Sequence, residues 1–155
     1  MSECGRVHNS DKLALIHLQV QHHLPKEYDA LRVHCESLPL GQLSPAFPFA
    51  GFVLNLCACT TAHRDHGDLQ LCVVIPFGDW EGGELCLYEP RLVFEAAPGD
   101  LIIFPSSQIT HFNLHMTGTR GSLVLQTDKA LVDWTEHFNA WDSHMAPNTV
   151  PTKLC

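Results

Sequence analysis

From residue 52 to residue 127 short apolar runs alternate with turn signals. The runs are 52–60, 69–77, 84–89, 91–96, 101–104, 109–116 and 121–127, rich in β-branched and aromatic residues. Between them stand Gly78-Asp79, Gly82-Gly83, Pro90, Pro98-Gly99 and Thr117-Gly118. Strands this short at this spacing predict a sandwich or barrel. Seven runs, with one more from the N-terminal part, suit an eight-stranded jelly roll. The first 51 residues read differently. Residues 1–10 are polar; Ser10 and Asp11 then precede Leu13, Leu15, Ile16, Leu18 and Val20, a run whose period fits helix or strand. Pro25, with Glu27 and Asp29 behind it, opens a helix that stops before Pro39. Residues 39–51 carry three prolines and two glycines and predict an irregular connection, whose Phe47 and Phe49 pack on the core or line a pocket. After Asp128, the residues Ala130, Leu131, Trp134, Phe138 and Trp141 form one helical stripe, which predicts a helix laid over an open sheet face. The expected organisation is one domain, 1–155, mainly β with flanking helices: N-terminal helical and irregular support over 1–51, a jelly-roll core over 52–128, and a C-terminal helix and tail over 129–155.

Composition narrows the classes. At 155 residues the chain can bury a sizeable core. A net charge of -8 without any Lys/Arg run weighs against a phosphate backbone as partner. No stretch has the length and apolarity of a membrane span. The start Met1-Ser2-Glu3-Cys4 lacks the order of a secretion signal. Seven cysteines without a C-x-x-C predict reduced side chains rather than a zinc site or a disulfide framework. Cys57, Cys59, Cys72 and Cys86, inside apolar runs, are expected to be small buried hydrophobes, and an intracellular setting, cytoplasmic or nuclear, follows. Nothing in the pattern selects an oligomeric state.

The chemistry concentrates in five residues. His63 and Asp65 stand at i and i+2, which on a strand puts both side chains on one face. His111 arrives from the run 109–116, just after the turn at Pro98-Gly99-Asp100 and the apolar stretch to Pro105. Two imidazoles and a carboxylate are the ligand set of a non-haem iron(II) site with coordination positions left open. Arg120 and Ser122 follow His111 by nine and eleven residues, again at i and i+2. A guanidinium fork and a hydroxyl on one face suit a carboxylate. The set therefore predicts Fe(II), 2-oxoglutarate and O2 as metal, co-substrate and oxidant. An H-x-D pair alone is weak in a chain with eleven histidines; the Arg-x-Ser pair is what makes the pattern specific. A cupin-like metal enzyme and a non-catalytic binding module are the other classes weighed. The first expects His-x-His and leaves Arg120-x-Ser122 idle; the second commonly loses a ligand.

From Asn55 to Asp128 the chain resembles the catalytic core of the Fe(II)/2-oxoglutarate-dependent dioxygenases. The resemblance rests on His63-x-Asp65, Gly82-Gly83-Glu84-Leu85, Pro98-Gly99-Asp100, Phe104-Pro105, His111 and Arg120-x-Ser122. It implies a double-stranded β-helix with iron at its mouth, and decarboxylation of 2-oxoglutarate to succinate coupled to oxidation of an unidentified substrate. It also implies His63, Asp65 and His111 as ligands, and Arg120 and Ser122 as the 2-oxoglutarate clamp. Asn55 ahead of His63-Arg64-Asp65-x-x-Asp68 is similar to the TET/JBP branch, which oxidises nucleobase methyl groups, and to its short fungal members. Against DNA as partner stand the acidic charge, the lack of a basic arm, and the mere 46 positions from Asp65 to His111, too few for a large recognition insert.

Further residues carry smaller expectations. Asn55 reaches 2-oxoglutarate or serves the backbone; Asp68 orients its loop or holds Arg64. His66 is a loop residue, and His115 lies too far along its strand to reach the metal. His22 and His23 diverge on the surface, while Tyr88, Arg91, Trp80 and the segment 39–51 are rim candidates. No G-x-S-x-G elbow surrounds Ser122, which excludes a serine nucleophile of that type.

Overall fold

The computed structural model describes residues 9–136. Helix α1 (Asn9–His23) and helix α2 (Pro25–Glu36) are followed by a 3-10 turn at Gly41–Leu43. Seven strands come next: β1 (Gly51–Leu56), β2 (Cys72–Gly82), β3 (Leu85–Leu87), β4 (Leu92–Phe94), β5 (Ile102–Phe104), β6 (His111–Asn113) and β7 (Met116–Gln126). Helix α3 (Ala130–Glu136) closes the described part. One sheet has the order β1-β7-β2-β5, the other β4-β3-β6, and every pairing is antiparallel. This is a jelly roll with flanking helices.

Alternation along the two long strands builds both cores. On β2, Val73 and Ile75 face the helices, where Val73 joins Ile16, Val20, Tyr28, Leu31, Phe49 and Leu125 in one buried cluster. The intervening Cys72 and Val74 face the barrel interior, where Cys72 joins Leu85, Leu87, Ile102 and Phe104 in a second. Val73 lies directly opposite Leu125 in the ladder, so the β2–β7 pair presents one apolar face to α1 and α2. Leu31, Val20 and Phe49 are fully buried there. Each such side chain contributes roughly 1.5–3 kcal/mol of burial.

Three expectations about elements are corrected. The ambiguous run 13–20 is helical, in α1, so among the described residues no strand comes from the N-terminal part. Its place in the smaller sheet falls to the extended stretch around His63, joined to β6 through the single bridge His63↔His111. Gly78-Asp79 and Thr117-Gly118 are not breaks: β2 and β7 run through them, pairing Gly78 with Arg120 and Trp80 with Gly118. Both glycines have positive φ, and a Cβ at Gly78 would fall 2.2 Å from the Thr119 carbonyl oxygen, at Gly118 2.5 Å from that of Asp79. Glycine here permits a tightly twisted ladder rather than a turn. Finally, α3 packs on α2 rather than on a sheet face, with Thr135 Oγ1 3.0 Å from His34 Nδ1. Phe138 and Trp141 of the expected stripe lie outside the described residues.

The cysteines also divide. Cys72 and Cys86 are buried and free, as expected of small hydrophobes, and so is Cys35, whereas Cys57 and Cys59, just beyond the largely exposed β1, are exposed, against the expectation. Among the described residues, no helix is long and apolar enough to cross a membrane.

Candidate metal and co-substrate site

His63 and His111 face each other across a closed antiparallel pair. The His63 N–H donates to the His111 carbonyl at 3.1 Å, and the His111 N–H to the His63 carbonyl at 2.9 Å. Their rings lie 4.4 Å apart between centroids. Asp65 sits two residues beyond His63, as the spacing required, although on a loop rather than a strand. Its Oδ1 is 3.6 Å from His63 Nε2 and its Oδ2 3.4 Å from His111 Nε2. One ligand atom from each of the three lies within 4.8 Å of the others.

The far ring nitrogens fix the rings. His63 Nδ1 is 2.7 Å from the Thr61 carbonyl, and His111 Nδ1 3.0 Å from that of Ile109. A carbonyl only accepts, so each Nδ1 carries a proton and each ring turns its Nε2 toward Asp65. Two lone pairs and a carboxylate aimed at one point repel each other unless a cation or protons intervene. The donor set thus fits a divalent metal such as Fe(II), and backbone carbonyls set the tautomers.

Around this trio lies a cavity of about 300 Å³, at the small end for ligand pockets. Strand β7 lines one wall mainly with alternate residues, Arg120, Ser122, Val124 and Gln126, with Gly121 between the first two. Asn55 pairs directly with Ser122 across the β1–β7 ladder and lines the same cavity. All six residues singled out from the sequence, namely His63, Asp65, His111, Arg120, Ser122 and Asn55, therefore border one space.

Arg120 is 8 % exposed. Its Nη1 donates to the Gly83 carbonyl, and its guanidinium lies over the Trp80 ring at 5.4 Å. Burial lowers its pKa from the ordinary arginine value. Among the described residues no carboxylate pairs with it. A buried cation held by one carbonyl and one ring fits a carboxylate ligand.

Burial raises the Asp68 pKa, against the lowering effect of the hydrogen bond from Ser106 Oγ. Its N–H donates to the Asp65 carbonyl at 2.9 Å, so Asp68 closes the turn after the ligand, as one of its two expected roles had it. The other role falls to Glu89, which takes Arg64. Burial pushes the Cys72 thiol up to about 12, which keeps it neutral on the cavity wall.

Several candidates stay outside. His66 and His115 are exposed and border no part of the cavity. Tyr88 and Arg91 belong to the β3–β4 turn, and segment 39–51 supports the helix-side core through Phe49. Trp80 covers Arg120 instead of forming a rim loop. The His22 and His23 rings do not diverge but meet edge to face at 4.7 Å. Several lining residues went unnoticed in the sequence, among them Asn113 and Gln126. The period-2 rule that linked Arg120 to Ser122 reaches Gln126 after two more steps, and reaches Asn113 from His111 in one.

No protein-family model matches the chain, and no curated protein matches it. Among solved structures the chain is similar to NgTET1 in complex with 5mC DNA. The TM-score is 0.68 at 18% identity, over 78% of this chain and 48% of that one. A 2OG-Fe(II) oxygenase family oxidoreductase from Burkholderia pseudomallei aligns at 22% identity over 52% of this chain and 49% of that one, with a TM-score of 0.44. The chain thus spans about half the length of each of these structures. The NgTET1 likeness shows the fold, a double-stranded β-helix.

Proposed function

We propose that this protein is an Fe(II)- and 2-oxoglutarate-dependent dioxygenase that oxidises a small substrate. The observation that carries this reading is the convergence of His63 Nε2, His111 Nε2 and the Asp65 carboxylate beside a cavity that also holds a buried, carboxylate-free Arg120. His63, Asp65 and His111 would hold Fe(II). Bound there, the metal would activate O2 and couple decarboxylation of 2-oxoglutarate to oxidation of a C–H bond. Arg120 would take a carboxylate of 2-oxoglutarate through its fork, and Ser122 would donate its hydroxyl to the same group. Asn55, opposite Ser122, would steady the co-substrate. Leu85, Phe104 and Val124 would give the bound co-substrate an apolar wall, which would strengthen each of these contacts.

The small cavity supports a compact substrate. Arg120 is the sole Lys or Arg among the described residues lining it, and Arg64 beside it is engaged by Glu89. A phosphate backbone would find few cations at this mouth, and the chain's net charge of -8 opposes it further. The fold likeness to NgTET1 favours a second reading, oxidation of a nucleobase methyl group, with a free base as its compact form. Succinate release tests both. Protein supplied with Fe(II), ascorbate and 2-oxoglutarate is offered small molecules, free nucleobases and methylated oligonucleotides. Turnover stimulated by a small molecule upholds the first reading, and turnover stimulated only by oligonucleotide replaces it with the second. Failure of the wild-type protein to form succinate under any of these conditions would count against both.

A further inference from the structure

The loop that carries His63 and Asp65 has little regular structure to hold it. One bridge pair, His63↔His111, is all that joins it to β6. The next pair outward, Arg64 opposite Thr110, has its side chains on the solvent side, away from the cavity. Glu89, on the β3–β4 turn, reaches both. Its Oε2 accepts the Thr110 N–H at 2.7 Å, and its Oε1 accepts the Thr110 hydroxyl at 2.7 Å and Arg64 Nη2 at 2.7 Å. Arg64 Nε completes the ring by donating to Thr110 Oγ1 at 2.9 Å. The Thr110 carbonyl accepts the Tyr88 N–H at 2.9 Å, which ties the same turn to the same residue a second time.

We propose that Glu89 is a positioning residue for the metal ligands: one carboxylate that locks Arg64, between His63 and Asp65, to Thr110, next to His111. The inference rests on the metal-site reading above. A single exposed ion pair contributes little to stability. Here four short hydrogen bonds join three residues, one through a backbone N–H, so the geometry is more tightly defined than in a lone ion pair. The clamp replaces the ladder that a true strand around His63 would supply. Its effect falls on the separation of the ligand atoms, because Arg64 and Thr110 are the immediate neighbours of all three.

Co(II) binding to the metal-free protein, followed by its visible absorption, tests the clamp without turnover. Glu89→Ala should weaken Co(II) binding on the order of tenfold, the low end for residues that orient ligands, and alter the spectrum. Its metal-free melting temperature should fall only slightly, as loss of an exposed ion pair allows. Glu89→Gln should recover part of the affinity, since its amide oxygen still accepts the Thr110 N–H. It also carries the test if the alanine variant does not fold. Adding Arg64→Ala to Glu89→Ala should cost little more, because both act through one ring. Wild-type affinity and spectrum in both Glu89 variants would overturn the clamp while leaving the metal site standing. So would a lower melting temperature with unchanged Co(II) affinity. Wild-type protein that takes up no Co(II) would instead overturn the metal-site reading, and the clamp with it.

Discussion

The two halves of the candidate site are held in opposite ways. Arg120, Ser122 and Asn55 stand on strands that pair over their full length: β7 lies between β1 and β2, backed by the buried cluster of α1 and α2. His63 and Asp65 stand on a loop, their side chains 38 % exposed, and His111 opens a strand of three residues. The co-substrate half takes its geometry from the core of the molecule. The metal half takes its geometry from local hydrogen bonds: the closed His63–His111 pair, the Asp65 N–H on the Ser106 carbonyl, two carbonyls behind the imidazoles, and the ring through Glu89. Stability and ligand geometry are therefore separable here. Damage to the helix-backed sheet should unfold the protein, and damage around the loop should spoil the metal site in a protein that remains folded.

The sharpest way to break that contrast is His111→Ala. It should reduce succinate formation to background while the circular dichroism and melting temperature of the metal-free protein stay near wild type. A variant that keeps full turnover removes His111 from the ligand set. On the other side, Leu31→Ala, in the cluster behind β2 and β7, should cost about 2–5 kcal/mol in urea unfolding through the cavity it leaves. Its Co(II) affinity, measured well below its midpoint, should be unchanged. A tight-binding wild type with a weak-binding Leu31→Ala would show the two halves to be coupled. Next, Arg120→Ala should raise the KM for 2-oxoglutarate about 10–100-fold, the worth of a charged hydrogen-bonded contact, with less effect on Co(II) binding. Normal co-substrate affinity in that variant would remove the clamp role.

The smallest expected effect concerns acid. The Thr110 and Arg64 hydrogen bonds hold the Glu89 carboxyl down at about 2, below its ordinary 4.5. A depressed carboxyl stabilises the fold above the unfolded value, and that contribution fades as pH falls from about 4.5 through about 2. The gap in melting temperature between metal-free wild type and Glu89→Gln should accordingly be largest near neutrality and shrink across that window. A gap independent of pH would mean that the charge on Glu89 contributes nothing to the ring.

Which parts were legible in the sequence follows from what each signal encodes. The ligand types and the i, i+2 spacing identified His63 and Asp65, even though the strand expected to carry them is a bridged loop, because extended backbone of either kind projects alternate residues to one side. Arg120 and Ser122 stood out for the same reason, on a real strand, and Asn55 through the family resemblance. The run from Leu13 to Val20 was ambiguous because its apolar positions satisfy both periods; packing against Val73 and Leu125, far away in sequence, decides for helix. Gly78 and Gly118 misled because positive φ serves a turn and a tight ladder equally. The exposure of Cys57 and Cys59 goes with β1 being a largely exposed edge strand, which the apolar run 52–60 does not mark. The groups behind the imidazoles were invisible, since the Thr61 and Ile109 carbonyls are backbone and any residue type could supply them. Glu89 was hidden by distance, 25 residues from Arg64 and 21 from Thr110.

The central claim is that His63, Asp65 and His111 hold Fe(II) next to an Arg120 that receives 2-oxoglutarate. Anaerobic addition of 2-oxoglutarate to the Fe(II)-loaded protein tests it most directly, read by the visible charge-transfer absorption of a 2-oxo acid chelated to ferrous iron. The wild-type protein should develop that band at one equivalent of iron, Arg120→Ala should need more 2-oxoglutarate to reach it, and His111→Ala should fail to develop it. A wild-type protein that never shows the band, or a His111→Ala protein that shows it undiminished, would contradict the assignment.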